Sequence, residues 1–112
     1  MGEKRKHVRY TASALVRTED GQLYTLKDIS TGGCCLRCPL DRSVNLKLAQ
    51  DYRVTLKPEP AARADSFDMT IEPCWIQSGS GFYEIGCFIS GFPEGKRYQS
   101  FANYLAWRAA QE

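Results

Sequence analysis

Between Tyr52 and Lys57 the chain alternates strictly, with Tyr52, Val54 and Leu56 set against Arg53, Thr55 and Lys57. A two-residue period is that of an extended strand with one buried face. The pattern recurs. Gly33 to Cys38 sets Cys34, Leu36 and Cys38 against Cys35 and Arg37, and Phe67, Met69 and Ile71 alternate with polar residues. Thr11 to Thr18 and Gln22 to Ile29 flank Glu19-Asp20-Gly21, a hairpin loop with glycine where a positive φ is expected. Cys74-Trp75-Ile76 and Phe82 to Ser90 flank the turn Gly79-Ser80-Gly81, and Pro73 predicts a bulge or an edge. Ser43 to Gln50 fits a loop or a helical turn equally. Six short strands joined by Gly and Pro turns predict a mostly β fold, a small antiparallel β-barrel.

The period then changes. Lys96 to Ala110 is free of Gly and Pro, and at about 100° per residue Tyr98, Phe101, Tyr104, Leu105 and Arg108 share one side. A C-terminal helix packed on the barrel is expected, with Trp107 away from the centre of that stripe, either a contact at its flank or part of a partner surface, packing being preferred.

At 112 residues the chain fits one domain with one core. Lys4, Arg5, Lys6 and Arg9 against Glu3 give the first nine residues a charge of +3, more than the +2 of the whole chain. Residues 1–10 therefore read as a mobile basic arm, and 11–112 as the barrel with its helix. A general nucleic-acid binder spreads its basic residues over a face, and the alternating aromatics here read as core-directed, so a small anionic ligand suits the chain better. No apolar stretch reaches the length of a membrane span, and the charged N-terminus has no apolar segment behind it, so membrane insertion is not expected and the cytoplasm is.

Five cysteines exclude a complete disulfide framework. In a strand, the residues of Cys35-Leu36-Arg37-Cys38 that are three apart point to opposite faces, which is poor geometry for one metal, so Cys34 and Cys38 read as core residues and no metal is expected. The single histidine, His7, has neither a metal-ligand set nor a Cys or Ser partner, and nothing in the chain points to catalytic residues.

Two short motifs carry the chemistry. Arg5-Lys6-His7-Val8-Arg9 offers two guanidinium arms that can fork onto phosphate, grip the O6/N7 edge of guanine or stack on a base. In Asp28-Ile29-Ser30-Thr31-Gly32-Gly33 the carboxylate can accept from N1–H and N2–H of guanine at once, the hydroxyl can donate to a phosphate oxygen, and the glycine pair lets backbone N–H groups approach a ligand.

In these motifs the chain resembles the PilZ domain family, bacterial receptor modules for cyclic di-GMP. Its signature, R-x-x-x-R followed by [D/N]-x-S-x-x-G, is matched by Arg5-x-x-x-Arg9 and Asp28-x-Ser30-x-x-Gly33, and the later strands and aromatic C-terminal segment also look like the family's. The resemblance implies a non-catalytic receptor with cyclic di-GMP as ligand and no cofactor. Arg5 would bind phosphate and stack on a guanine, Arg9 take an O6/N7 edge, and Asp28 an N1/N2 edge. Ser30 with Gly32 and Gly33 would complete the phosphate and sugar side, and Lys4 would add a phosphate contact and influence whether one or two ligands bind. The arm is expected to order on binding and to signal to a downstream effector protein. The alternative is an adaptor, a PilZ-like or OB-like barrel that docks protein or single-stranded nucleic acid without the dinucleotide.

Overall fold

The computed structural model describes residues 10–92 and 95–111. Its strands are β1 (Tyr10–Thr11), β2 (Ala14–Thr18), β3 (Leu23–Ile29), β4 (Gly33–Pro39), β5 (Tyr52–Pro58), β6 (Phe67–Ser78) and β7 (Phe82–Gly91), followed by helix α1 (Gly95–Ala110). Every ladder is antiparallel. The order β3-β2-β5-β6-β7-β4 closes through pairing of β4 with β3, a six-stranded barrel as expected from the alternation. β1 and β2 lie along the same side of β3 as one strand interrupted at Ala12 and Ser13.

The alternation fills the barrel. Val16, Tyr24, Leu26, Cys34, Leu36, Cys38, Val54, Leu56, Phe67, Met69, Ile71 and Ile85 are buried in one cluster. Gly21 and Gly81 both hold a φ of 89° in the two hairpin turns, a conformation glycine adopts without steric cost. Pro73 is buried in β6, two residues past Ile71, where the pairing with β5 ends. The ladder with β7 accommodates the proline by a register shift between Pro73 and Trp75 that leaves Cys74 exposed, so both sequence options hold: a bulge, in a stretch of β6 paired on one side.

Ser43 to Gln50 forms no helix. Its backbone bonds outward instead. Asn45 N–H donates to the Tyr24 hydroxyl (3.4 Å), Lys47 N–H to the Tyr52 hydroxyl (2.8 Å) and Ala49 N–H to the Pro73 carbonyl (2.9 Å). Leu46 is buried beneath this strap.

Helix α1 buries Tyr98, Phe101 and Leu105, three members of the expected stripe. Phe67 is the hub beneath it, with ring centroids 6.0 Å from Phe92, 5.9 Å from Tyr98 and 6.2 Å from Phe101. Truncating a buried Phe costs about 3–5 kcal/mol, so this aromatic cluster is what fastens the helix. Arg108 donates to Glu59 (2.8 Å) and to the carbonyl of Thr11, tying the end of α1 to β1. Trp107 departs from the packing reading preferred for it. It is 60% exposed, with only the Tyr104 ring beside it at 6.2 Å among the ring contacts, because its position on the helix faces away from the barrel.

Candidate functional site

Two local devices position the Asp28 motif. The β3–β4 ladder shifts register between Leu26 and Asp28, so Lys27 and Asp28 are both half-buried while Leu26 and Ile29 on either side are buried. Without that bulge, strict alternation would put either Lys27 or Asp28 into the core; with it, both reach the outer surface. Lys27 pairs with Glu84 (3.3 Å), which also accepts from Arg37 (2.8 Å), and this holds the Glu84 carboxyl below its usual range.

The second device is the turn that follows. Ser30 is buried, its N–H donates to the Gly33 carbonyl (2.8 Å), and its hydroxyl oxygen accepts from Gly32 N–H (3.3 Å) and Gly33 N–H (3.2 Å). Ser30 therefore shapes the turn. The glycine N–H groups that the sequence offers to a phosphate are here directed at that hydroxyl. Gly32 gives its carbonyl to Ile89 N–H (3.1 Å), which stitches the turn to β7.

β1, which follows the first motif in sequence, pairs with the second. Tyr10 lies opposite Ile29 and Thr11 opposite Asp28. Arg9 is one peptide bond from Tyr10, and consecutive Cα atoms stand about 3.8 Å apart. Lys4, Arg5 and Arg9 themselves lie outside the described residues, as do residues 1–9 of the arm.

Across the outer surface, register places Thr11, Asp28, Cys35, Gly86 and Trp75 in one row. Paired residues in an antiparallel ladder share a face. Cys34 and Cys38 are buried on the inner face as expected, and Cys35 is buried on the outer one. Burial first, then the charges of Asp28 and Glu84, pushes the Cys35 thiol up to about 11, so it stays protonated and a poor nucleophile at neutral pH. No group of three His, Cys, Asp or Glu stands close enough to hold a metal ion among the described residues.

Sequence reasoning missed the aromatics of this surface. They read as core-directed, yet Phe88 is 61% exposed, Trp75 44% and Phe82 42%. The bulge at Pro73 turns Trp75 outward, where its indole lies across Gly86, while Phe88 follows inward-facing Cys87. The signal was present in the parity of β7: counting back from buried Ile85 and Cys87 puts Phe82 and Phe88 on the other face.

The family model for the PilZ domain matches residues 3–106. The Bacillus subtilis inhibitor of motility (MotI/DgrA) superposes with a TM-score of 0.76 at 14% identity, covering 99% of this chain and 53% of that one. The complex of MrkH with c-di-GMP from K. pneumonia gives 0.73 at 16% identity, covering 99% and 55%. The PilZ domain of YcgR from Escherichia coli, solved with c-di-GMP, gives 0.72 at 14% identity, covering 97% and 96%. This chain thus spans about half the length of MotI and MrkH and almost the whole of the YcgR domain. No curated protein matches it in sequence.

Proposed function

The chain belongs to the PilZ domain family, and we propose that it is a non-catalytic receptor for cyclic di-GMP that acts on a downstream protein. The observation that carries this reading is the pairing of Tyr10 and Thr11 with Ile29 and Asp28, which runs the chain leaving Arg9 directly alongside the Asp28 carboxylate and the Ser30–Gly33 turn. An anionic dinucleotide needs guanidinium groups for its phosphates and base edges and a carboxylate for the guanine N1–H and N2–H donors. The pairing of Tyr10 and Thr11 supports a reading in which the arginines that precede them meet that carboxylate on the barrel surface. MrkH and the YcgR PilZ domain, which share the fold, were each solved with c-di-GMP.

In this proposal Arg5 binds phosphate and stacks on a guanine, Arg9 takes an O6/N7 edge, Asp28 takes an N1/N2 edge, and Lys4 adds a phosphate contact. Gly32 and Gly33 keep the turn low enough for the ligand's sugar and phosphate to approach, with Ser30 holding its shape. Binding orders residues 1–9 against the turn, and the newly fixed surface is what the downstream protein reads. No described helix is long and apolar enough to cross a membrane, and the proposed place of action is the cytoplasm.

Calorimetric titration with cyclic di-GMP, with cyclic di-AMP and GTP as controls, tests the reading. Saturable binding of cyclic di-GMP alone is the expected result. Silence with all three would give the adaptor alternative the lead, since the exposed aromatics on β6 and β7 offer a docking face without a ligand.

A further inference from the structure

Gly33, the last residue of the Asp28 motif, lies directly opposite Phe88 in the β4–β7 ladder, and the residue after Phe88 is bonded to the turn through Gly32. Because Gly33 has no side chain, Phe88 has no cross-strand side-chain neighbour on β4. The ring is 61% exposed. Trp75, by contrast, has spent one face of its indole on Gly86.

We propose that Phe88 is a further ligand-binding residue, whose ring stacks on a guanine base of the cyclic dinucleotide held at the Asp28–Gly33 turn. The inference rests on the reading of the chain as a cyclic di-GMP receptor and adds a base contact outside the two motifs. Three features favour a base as the occupant. An exposed aromatic face stacks on any purine, and a glycine beside it gives a flat ligand room to lie against the sheet. Glu72 is the other cross-strand neighbour of Phe88, and its carboxylate repels phosphate, which leaves the uncharged base as the part of the ligand suited to this position. The distances along the ladder also fit. Asp28 pairs with Cys35, two residues along β4 from Gly33, and Phe88 lies one strand further on the same face, so the two Cα positions stand roughly 12 Å apart, about the length of a nucleotide from phosphate to base edge.

The test is calorimetry with cyclic di-GMP on the wild type, Phe88→Ala, Phe88→Leu and Phe88→Tyr, with thermal melting of each. Loss of a base–aromatic stack weakens binding roughly five- to a hundredfold. Phe88→Ala is expected to lose affinity in that range with its melting unchanged, Phe88→Leu to recover little, and Phe88→Tyr to restore binding. In the saturated wild type, nuclear Overhauser contacts should join the Phe88 ring protons to guanine H8. Wild-type affinity in Phe88→Ala or Phe88→Leu, or no such contacts, overturns the stacking role while leaving the receptor reading intact, and would mark Phe88 as a docking residue for the partner protein. A wild type that binds no cyclic di-GMP overturns both.

Discussion

A side chain on Gly86 would collide with Trp75: a Cβ placed there stands 2.1 Å from Cε2 of the indole and 2.3 Å from Nε1. The two residues face each other across the β6–β7 ladder, so the indole occupies the volume that the glycine leaves open. Gly86→Ala should therefore push Trp75 off the sheet and cost about 1–3 kcal/mol, as overpacking does. Thermal melting reads the cost, and indole emission in a Trp107→Phe background reads the displacement. In a Trp75→Ala background the same glycine substitution should cost nearly nothing, because the two changes share one contact.

Ser30→Ala should destabilise the protein although it removes a single oxygen. The hydroxyl is buried and accepts from two backbone N–H groups, and leaving buried donors unpaired costs about 1–3 kcal/mol. Urea denaturation measures the loss. Amide exchange should quicken first at Gly32 and Gly33, and an unchanged exchange rate there would remove Ser30 from its role in the turn.

Arg9→Ala and Asp28→Ala are expected to keep the fold and lose cyclic di-GMP. Truncating a charge-assisted contact costs about 1.5–3 kcal/mol, roughly ten- to over a hundredfold in affinity. Arg5→Lys should restore little, since lysine keeps the charge and lacks the planar fork. Cyclic di-AMP should be rejected, because adenine does not offer the paired donors that Asp28 would accept. Equal affinity for both dinucleotides would take base selection away from Asp28.

The thiols should separate by burial. Cys34, Cys35, Cys38 and Cys87 are buried and Cys74 is exposed, so a disulfide reagent at neutral pH should titrate one thiol rapidly in the native protein and all five in denaturant. Stability should also fall in alkali. Below about pH 9 Cys35 is protonated in both folded and unfolded states; between about 9 and about 11 the unfolded thiol ionises while the folded one does not, which draws the equilibrium toward unfolding. Cys35→Ala should flatten that part of the profile.

Arg108→Ala should loosen β1 selectively. It removes donors from the Thr11 carbonyl and from Glu59, worth about 1.5–3 kcal/mol together in a partly buried setting. Hydrogen exchange should rise at Thr11 and Ala12 well before it rises in β6 or β7, and cyclic di-GMP affinity should fall with it if the arm needs β1 as its anchor.

Strand positions were legible because inward residues such as Val54, Leu56, Met69 and Ile71 recur at the period of the pleat. The Asp28–Gly33 turn was legible because its parts are local in sequence. What escaped were features set by tertiary register. The bulge at Lys27 that carries Asp28 outward depends on β4 closing the barrel, and the outward turn of Trp75 depends on how β7 absorbs Pro73. Phe88 escapes a sequence reading because an aromatic in a strand reads as core, although its parity with Cys87 points the other way. The role of Arg108 could not be read from the helix alone, since one of its partners lies 97 residues away.

A sheet with a free margin invites other chains to add strands to it, which is how many β proteins aggregate or exchange segments. Here β4 pairs back onto β3, and among the described strands single-sided pairing is found in residues 72–78 of β6, past the end of its ladder with β5, and in β1. That strand is two residues long, and Arg108 already occupies the Thr11 carbonyl. Joined to other domains or crowded at high concentration, the described module presents the outer half of β6, not β1, as its margin for strand addition.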